Sequence, residues 1–331
     1  MDQTRNSTDS NGRGATWVVV LAGGDGSRLQ AITTTASGLA VPKQFCSLRD
    51  GPSLLNETLQ RAASIADEAR ICTVVAQQHE RWWRRPLRSL PRENVIVQPQ
   101  NRGTAVGLLL PLVDILDRDP DAHVVVLPSD HHFGEEAVLR QALARAVGVT
   151  RESDSKILLL GIAPEFADSE LGYIVPGRLG AELSPVSQFA EKPSPREAQT
   201  LIDRGALWNV FVLVARVSAL VALLTRAAPL LMEKIREARR CGRAAIAALY
   251  DRLSSIDFSH DVAHGNESAL AVLRVPPCGW TDLGTPERLR STLARSPAAV
   301  CDLNSTFRGK GRLSLQRQHL EWARVAGGAC T

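Results

Sequence analysis

The sequence predicts an α/β fold, a mixed and mostly parallel sheet with helices on both faces, and three observations predict it. Short apolar runs rich in Val (17–21, 71–76, 95–97 and 124–127) alternate with stretches of helical apolar spacing (53–66, 104–116 and 137–147). Strands that alternate with helices imply crossover connections and parallel pairing. The runs are nearly continuous in apolar residues, as strands buried on both faces are. Polar and glycine-rich motifs directly follow the first and fourth runs, at the carboxyl ends where such sheets bind ligands.

The first run leads into Ala22-Gly23-Gly24-Asp25-Gly26-Ser27-Arg28-Leu29, with Val41-Pro-Lys-Gln-Phe45 close behind. Three glycines in four positions let bare amides approach a phosphate, and Arg28 and Lys43 supply cations suited to a polyphosphate. Two familiar loops fail by counting. A Walker A loop needs Gly-Lys-Ser/Thr after four intervening residues, but Arg28-Leu29 or Leu29-Gln30 stand there. A dinucleotide fingerprint needs a small residue three places after Gly26, where Leu29 stands. The competing reading is a plain glycine turn with Arg28 solvated.

Further along, Arg81-Trp-Trp-Arg-Arg85 with Arg88 and Arg92 reads as a helix with Trp inward and Arg outward, in preference to a nucleic-acid patch. The run 124–127 delivers Pro128-Ser-Asp130 at its end. In the second half, 156–162, 186–190, 210–214 and 269–275 read as strands, and a polar loop leads to Gly172-Tyr-Ile174. The segment 217–249 is largely helical, with Pro229 opening a second helix. No internal repeat is visible.

Composition narrows the class. A chain of 331 residues, 44% hydrophobic, can bury the core of one large domain. The domain is expected over 15–290, with a disordered polar tail at 1–14 and a mixed basic C-terminal extension at 291–331. A net charge of +4 with both signs interspersed suits small anionic substrates and gives no case for nucleic acid. There is no apolar run long enough for a membrane span and no signal-peptide pattern, so a cytoplasmic protein is expected. The six cysteines are scattered without a Cys-x-x-Cys pair and read as free thiols, Cys72 and Cys278 as core residues.

The segment Leu21–Leu29 with Pro42-Lys43-Gln44 resembles the signature of sugar-phosphate nucleotidyltransferases, most of all the mannose-1-phosphate guanylyltransferases. Six more segments match in the family's order: Gln98-Pro-Gln-Asn-Arg-Gly-Thr-Ala105, Pro128-Ser-Asp-His131, Gly172-Tyr-Ile174, Glu191-Lys-Pro193, Trp208-Asn209 and Trp280-Thr-Asp-Leu-Gly284. The resemblance implies a Rossmann-like, GT-A-type catalytic domain that joins a nucleoside triphosphate, GTP first, to a sugar 1-phosphate, mannose first. It implies Mg²⁺ held by Asp130 and Asp282, and Arg28, Lys43 and Lys192 as catalytic cations. Ala22, Gly23, Gly24, Gly26, Gln98, Gly103 and Thr104 are implied for the nucleotide, and Gly172, Glu191, Lys192 and Asn209 for the sugar phosphate. The chemistry agrees, because a phosphate monoester with a second pKa of about 6 needs alignment and charge cancellation more than a general base.

Uridine, thymidine or cytidine triphosphates, glucose 1-phosphate and a non-catalytic sugar-nucleotide sensor are the rival readings, and a homo-oligomer is left open. Taken singly, Asp130 also reads as a helix N-cap, Asp282 as a turn and Glu191-Lys192 as a surface ion pair. Gln30-Ala31 stands where the family carries Trp-Pro or similar, Val210-Phe211 where it carries Ser-Gly, and Val262 where an acid is expected. With an end at 331, a fused phosphomannose isomerase domain is not expected, and no hexapeptide repeat announces a β-helix after the catalytic domain.

Overall fold

In a computed structural model the described residues are 14–35, 37–48, 51–152 and 156–294. Most of the N-terminal tail, and the C-terminal extension beyond Ala294, lie outside them. The apolar runs of the first half form β1 (Thr16–Ala22), β2 (Ile71–Ala76), β3 (Val95–Gln98) and β4 (His123–Pro128). All their pairings with one another are parallel, in the order β3-β2-β1-β4. The helices between them, Leu54–Ala63 and Thr104–Arg118, supply the crossovers.

The second half adds β5 (Ile157–Ile162), β6 (Gly172–Pro176), β7 (Leu183–Glu191), β8 (Leu207–Arg216) and β9 (Leu270–Val275). The full order is β3-β2-β1-β4-β8-β5-β9-β7-β6, with β6 also pairing β8. Here the expectation of a mostly parallel sheet needs correction. Only β5–β9 is parallel, and β8 runs antiparallel to β4, β5 and β6. The residues between β6 and β7, 177–182, are too few for a parallel crossover, so those strands pair antiparallel. Sequence pattern alone does not separate β6 from the loop before it, because a five-residue strand opening on Gly172 has too little apolar pattern to announce itself.

Helices cover both faces. Along β1, Val18 and Val20 pack with the helices Leu54–Ala63 and Glu136–Glu152, while Trp17 and Val19 pack with Thr104–Arg118 and Val217–Ala227. Each such Val or Leu, buried fully, contributes roughly 1.5–3 kcal/mol. The long helical segment divides at Pro229, which opens Pro229–Cys241 at its first position, and again at Gly242 before Arg243–Arg252. Around the arginine cluster only Glu80–Trp83 is α-helical, flanked by short 3-10 turns at Gln77–His79 and Arg92–Asn94. Trp83 is buried and donates to the carbonyl of Ala76 at 2.9 Å, while Arg81, Arg84, Arg85 and Arg88 face solvent. Burial pushes the Cys46 and Cys72 thiols up to about 12 and Cys278 up to about 11, as inert core residues require.

Candidate active site

The carboxyl ends of β1 and β4 open into a cleft of about 260 Å³, which the second half of the chain closes from the other side. β1 ends beside β4, with Leu21 opposite Pro128. Ser129 then donates its hydroxyl to the Leu21 carbonyl at 2.7 Å, which fixes where Asp130 emerges. Gly26 occupies the left-handed region at φ 62°, and a Cβ there would lie 2.9 Å from the Lys43 backbone nitrogen. Glycine is therefore needed for the loop to lie against Pro42-Lys43-Gln44. Gln44 explains the value of that second segment. Buried under the loop, its amide donates to the carbonyls of Ala22 at 3.0 Å and Gly24 at 2.8 Å.

The two aspartates, far apart in sequence, meet because a short antiparallel bridge joins His132 to Thr281. Its two backbone hydrogen bonds, 2.9 and 3.0 Å, lay Trp280-Thr-Asp282 alongside Asp130-His131. Asp130 caps no helix. Lys43 rises between the aspartates from behind the cleft wall, with Nζ 2.9 Å from Asp130 Oδ2 and 2.6 Å from the Asp282 carbonyl. Burial pushes the Asp130 carboxyl up, but the Lys43 ammonium and His131 more than offset it and hold it down to about 2. Asp282 is likewise held below the ordinary range against burial, by His131, by Arg288 at 2.5 Å and by Lys43. Arg288 also pairs with Asp168, so one guanidinium anchors Asp282 to the neighbouring loop.

These two carboxylates suit Mg²⁺, which takes one or two carboxylates and completes its octahedron with water and phosphate oxygens. Among the described residues no cluster of three or more ligating side chains offers a closed protein cage.

The sugar-binding candidates gather at the far end. Gly172 pairs with Glu191 across β6 and β7, and a Cβ on Gly172 would sit 2.6 Å from Glu191 Oε2. Asn209 lies beside them, its Nδ2 3.6 Å from the same point. Lys192 takes the left-handed region at φ 48°, lines the cleft, and has no carboxylate within ion-pair distance among the described residues. The surface-ion-pair reading of Glu191-Lys192 therefore fails. Directly after, Ser194 and Glu197 form a reciprocal capping box that starts the helix Pro195–Asp203 and fixes the end of this segment.

Glu191 is pushed up to about 7 by burial and by nearby Asp257, against Lys192 and a Ser259 hydrogen bond. Native protein thus keeps a proton between pH 4.5 and 7 that the unfolded chain releases. Stability from this group is complete below the unfolded value and is lost as pH rises through that window. At about 1.4 kcal/mol per unit, the loss is at most roughly 3.5 kcal/mol. Glu191→Gln is expected to gain stability over the parent when urea midpoints are compared at about pH 8, and not at about pH 4.5. An equal difference at both pH values would contradict it.

The site differs from the sequence reading at several residues. Lys43 and Gln98 lie behind the cleft wall, with Gln98 2% exposed and packed against Gly23 and Gly107. Gly103 (φ 86°) is pressed on Ile256, whose carbonyl would lie 2.3 Å from a Cβ. Thr104 lines the cleft, and its hydroxyl joins Asp257 at 3.1 Å and the Phe258 amide at 2.7 Å, so it does not act as a helix cap. Arg28 stands at the mouth and pairs with Glu170 at 3.1 Å. Ser129, His131, Glu170, Phe211, Asp257, Ser259 and Trp280 also line the cleft, and none of them is among the site residues the sequence assigns. Of these, Ser129, His131 and Trp280 fall within the familial segments, Asp257 lies in the familial Ser255-Ile-Asp257 and Phe211 marks a departure, whereas Glu170 and Ser259 have no signal in the sequence.

A glycine loop, an aspartate pair and a polar recess in one cleft of an α/β sheet fit a nucleotide-transferring class of protein. The chain belongs to the nucleotidyl transferase family, whose profile matches residues 17–296. It is 28% identical over 294 residues to mannose-1-phosphate guanylyltransferase 2 of Escherichia coli O157:H7, covering 82% of this chain and 58% of that protein. It is also 28% identical over 276 residues to the xanthan biosynthesis protein XanB of Xanthomonas campestris, covering 81% and 57%. The chain thus spans under three-fifths of the length of these relatives. A solved structure described as mannose-1-phosphate geranyltransferase from Thermus thermophilus superposes with TM-score 0.72 at 25% identity, covering 85% of this chain and 80% of the other. A UDP-glucose pyrophosphorylase complexed with UDP-glucose, at 15% identity and TM-score 0.55, covering 84% of this chain and 97% of the other, shares the fold. No helix among the described residues is long and apolar enough to cross a membrane.

Proposed function

We infer that this cleft transfers a nucleotidyl group from a nucleoside triphosphate, GTP by preference, to a hexose 1-phosphate, mannose 1-phosphate by preference, with release of pyrophosphate. The observation that carries the reading is one cleft lined by the glycine loop and Arg28, by Asp130 and Asp282, and by Glu191, Lys192 and Asn209. The relatives named as mannose-1-phosphate guanylyltransferases support the choice of base and sugar.

The sugar phosphate oxygen attacks the α-phosphorus, and the bond to the pyrophosphate oxygen breaks. Glycine-loop amides hold the triphosphate, and Arg28 exchanges Glu170 for the departing pyrophosphate. Lys192, with no carboxylate within ion-pair distance among the described residues, takes the sugar's phosphate. Glu191 and Asn209 hold the hydroxyls and so fix the attacking oxygen in line. Mg²⁺ bound at Asp130 and Asp282 would neutralise charge on the phosphate oxygens. Lys43 braces that pair from behind, and Arg288 keeps the Asp282 carboxylate oriented.

Pyrophosphate release from a panel of nucleoside triphosphates and sugar 1-phosphates, with Mg²⁺, tests the reading. GTP with mannose 1-phosphate should give the highest kcat/KM. Another preferred pair would move the base or sugar assignment and keep the reaction. Binding of a sugar nucleotide without turnover across the panel would replace the enzyme by a sensor.

A further inference from the structure

The bulge in β8 places an aromatic side chain where the backbone would sit with less strain as glycine. Leu159 pairs with Leu213 and Gly161 with Asn209, so residues 210–212 of β8 face the single Leu160 of β5. Bulges next to binding sites re-aim side chains, and their left-handed position is ordinarily a glycine. Here that position is Phe211, at φ 55°. The Asn209 side chain accepts a hydrogen bond from the Phe211 amide at 3.0 Å. One edge of the ring meets Phe258, with centroids 6.1 Å apart and planes at 81°, and the residue lines the cleft. The surroundings at this end, Glu191, Lys192, Asn209, Asp257 and Ser259, are polar. Backbone strain at a functional cleft persists where the surrounding structure enforces it. An aromatic face among placed polar groups is the usual make-up of a small-ligand wall.

The geometry points to Phe211 as the residue that sets sugar specificity: its ring takes the C–H face of a plain hexose 1-phosphate, turns the hydroxyls toward Glu191 and Asn209, and excludes hexoses enlarged by an N-acetyl group. This rests on the reading of the cleft as a sugar-phosphate nucleotidyltransferase site. It goes beyond that reading by naming which sugars are refused and what refuses them.

The test uses the full chain and the variants Phe211→Gly, Phe211→Ala and Phe211→Leu. Mannose, glucose and N-acetylglucosamine 1-phosphates are compared at saturating triphosphate, and thermal midpoints are measured in parallel. Phe211→Gly is expected to raise the KM for the preferred plain hexose at least tenfold while the triphosphate KM changes less than twofold. It should also shift the ratio of kcat/KM values toward the N-acetyl sugar by tenfold or more. Phe211→Leu, which keeps an apolar wall, should recover part of the selectivity. Folding of the glycine variant is favoured by its φ, and the alanine variant, which also removes the ring, gives the same readout should that fold fail. An unchanged sugar ratio in folded variants, or kcat falling equally for every sugar, overturns the inference and leaves the proposed reaction standing. Failure of the parent to turn over any pair overturns the reaction itself.

Discussion

Asp130→Asn is expected to lower turnover by two to three orders of magnitude while leaving the fold in place. Asp130 stands at the end of β4 with its carboxylate 2.9 Å from the Lys43 ammonium, and the Asp282 carbonyl is bound to the same ammonium. On the proposed reading, neutralising Asp130 removes half of the pair that would hold Mg²⁺, and among the described residues it leaves Lys43 hydrogen-bonded only to the Asp282 carbonyl. Loss of one preorganised electrostatic contact at a transition state costs about 3–4 kcal/mol, or roughly 10²–10³ in rate. Stranding the buried partner of an ion pair adds a stability penalty, smaller here than the roughly 3–5 kcal/mol of a fully buried pair because the Asp130 side chain is 40% exposed. Single-turnover rates and thermal midpoints of Asp130→Asn and of Asp130→Asn with Lys43→Met separate the two effects. The double variant should regain stability and no activity. Near-parental turnover in Asp130→Asn would remove this residue from the chemistry.

Arg28→Ala should show the opposite separation, with a large loss of function and almost none of stability. The Arg28 and Glu170 side chains are about half exposed, and such surface pairs contribute about 0–1 kcal/mol. On the proposed reading the same guanidinium faces the leaving group, where it offers a planar fork that a water-filled gap cannot replace. A drop in kcat/KM for the triphosphate of about 10²-fold or more is expected, by the same scale of transition-state stabilisation. Arg28→Lys should recover only part of it, since a single ammonium lacks the paired donors. Glu170→Ala should bind triphosphate at least as well as the parent, because the resting partner of Arg28 is gone. Steady-state kinetics in triphosphate and in pyrophosphate, run in both directions, check all three.

How far the sequence discloses such a site depends on whether a residue acts through its neighbours in the chain or through space. The glycine loop and Asp130 are legible because each follows an apolar strand, and strand ends in this fold face the ligand. Asp282 is legible only by resemblance, since the His132–Thr281 bridge that brings it to Asp130 leaves no periodic mark. Arg288 and Asp168, which anchor Asp282, carry no local signal at all. Lys43 is visible as a cation, yet its burial beneath the acids depends on the close packing of Gly26. The parallel half of the sheet is readable from alternation, whereas the antiparallel half depends on short connections and a strand of five residues. Phe211 stands out as a departure from Ser-Gly, but its left-handed backbone is set by the pairing of β8 with β5.

The bridge between His132 and Thr281 has a consequence for the order in which the molecule becomes competent. Every strand of the sheet is complete once Val275 has left the ribosome, yet the acid pair is still one member short. Residues 276–294 then lay the second acid beside the first, and with it the arginine that steadies it. A nascent chain therefore completes its sheet before Asp282 can lie beside Asp130, and that meeting arrives as one late event near the end of the described residues.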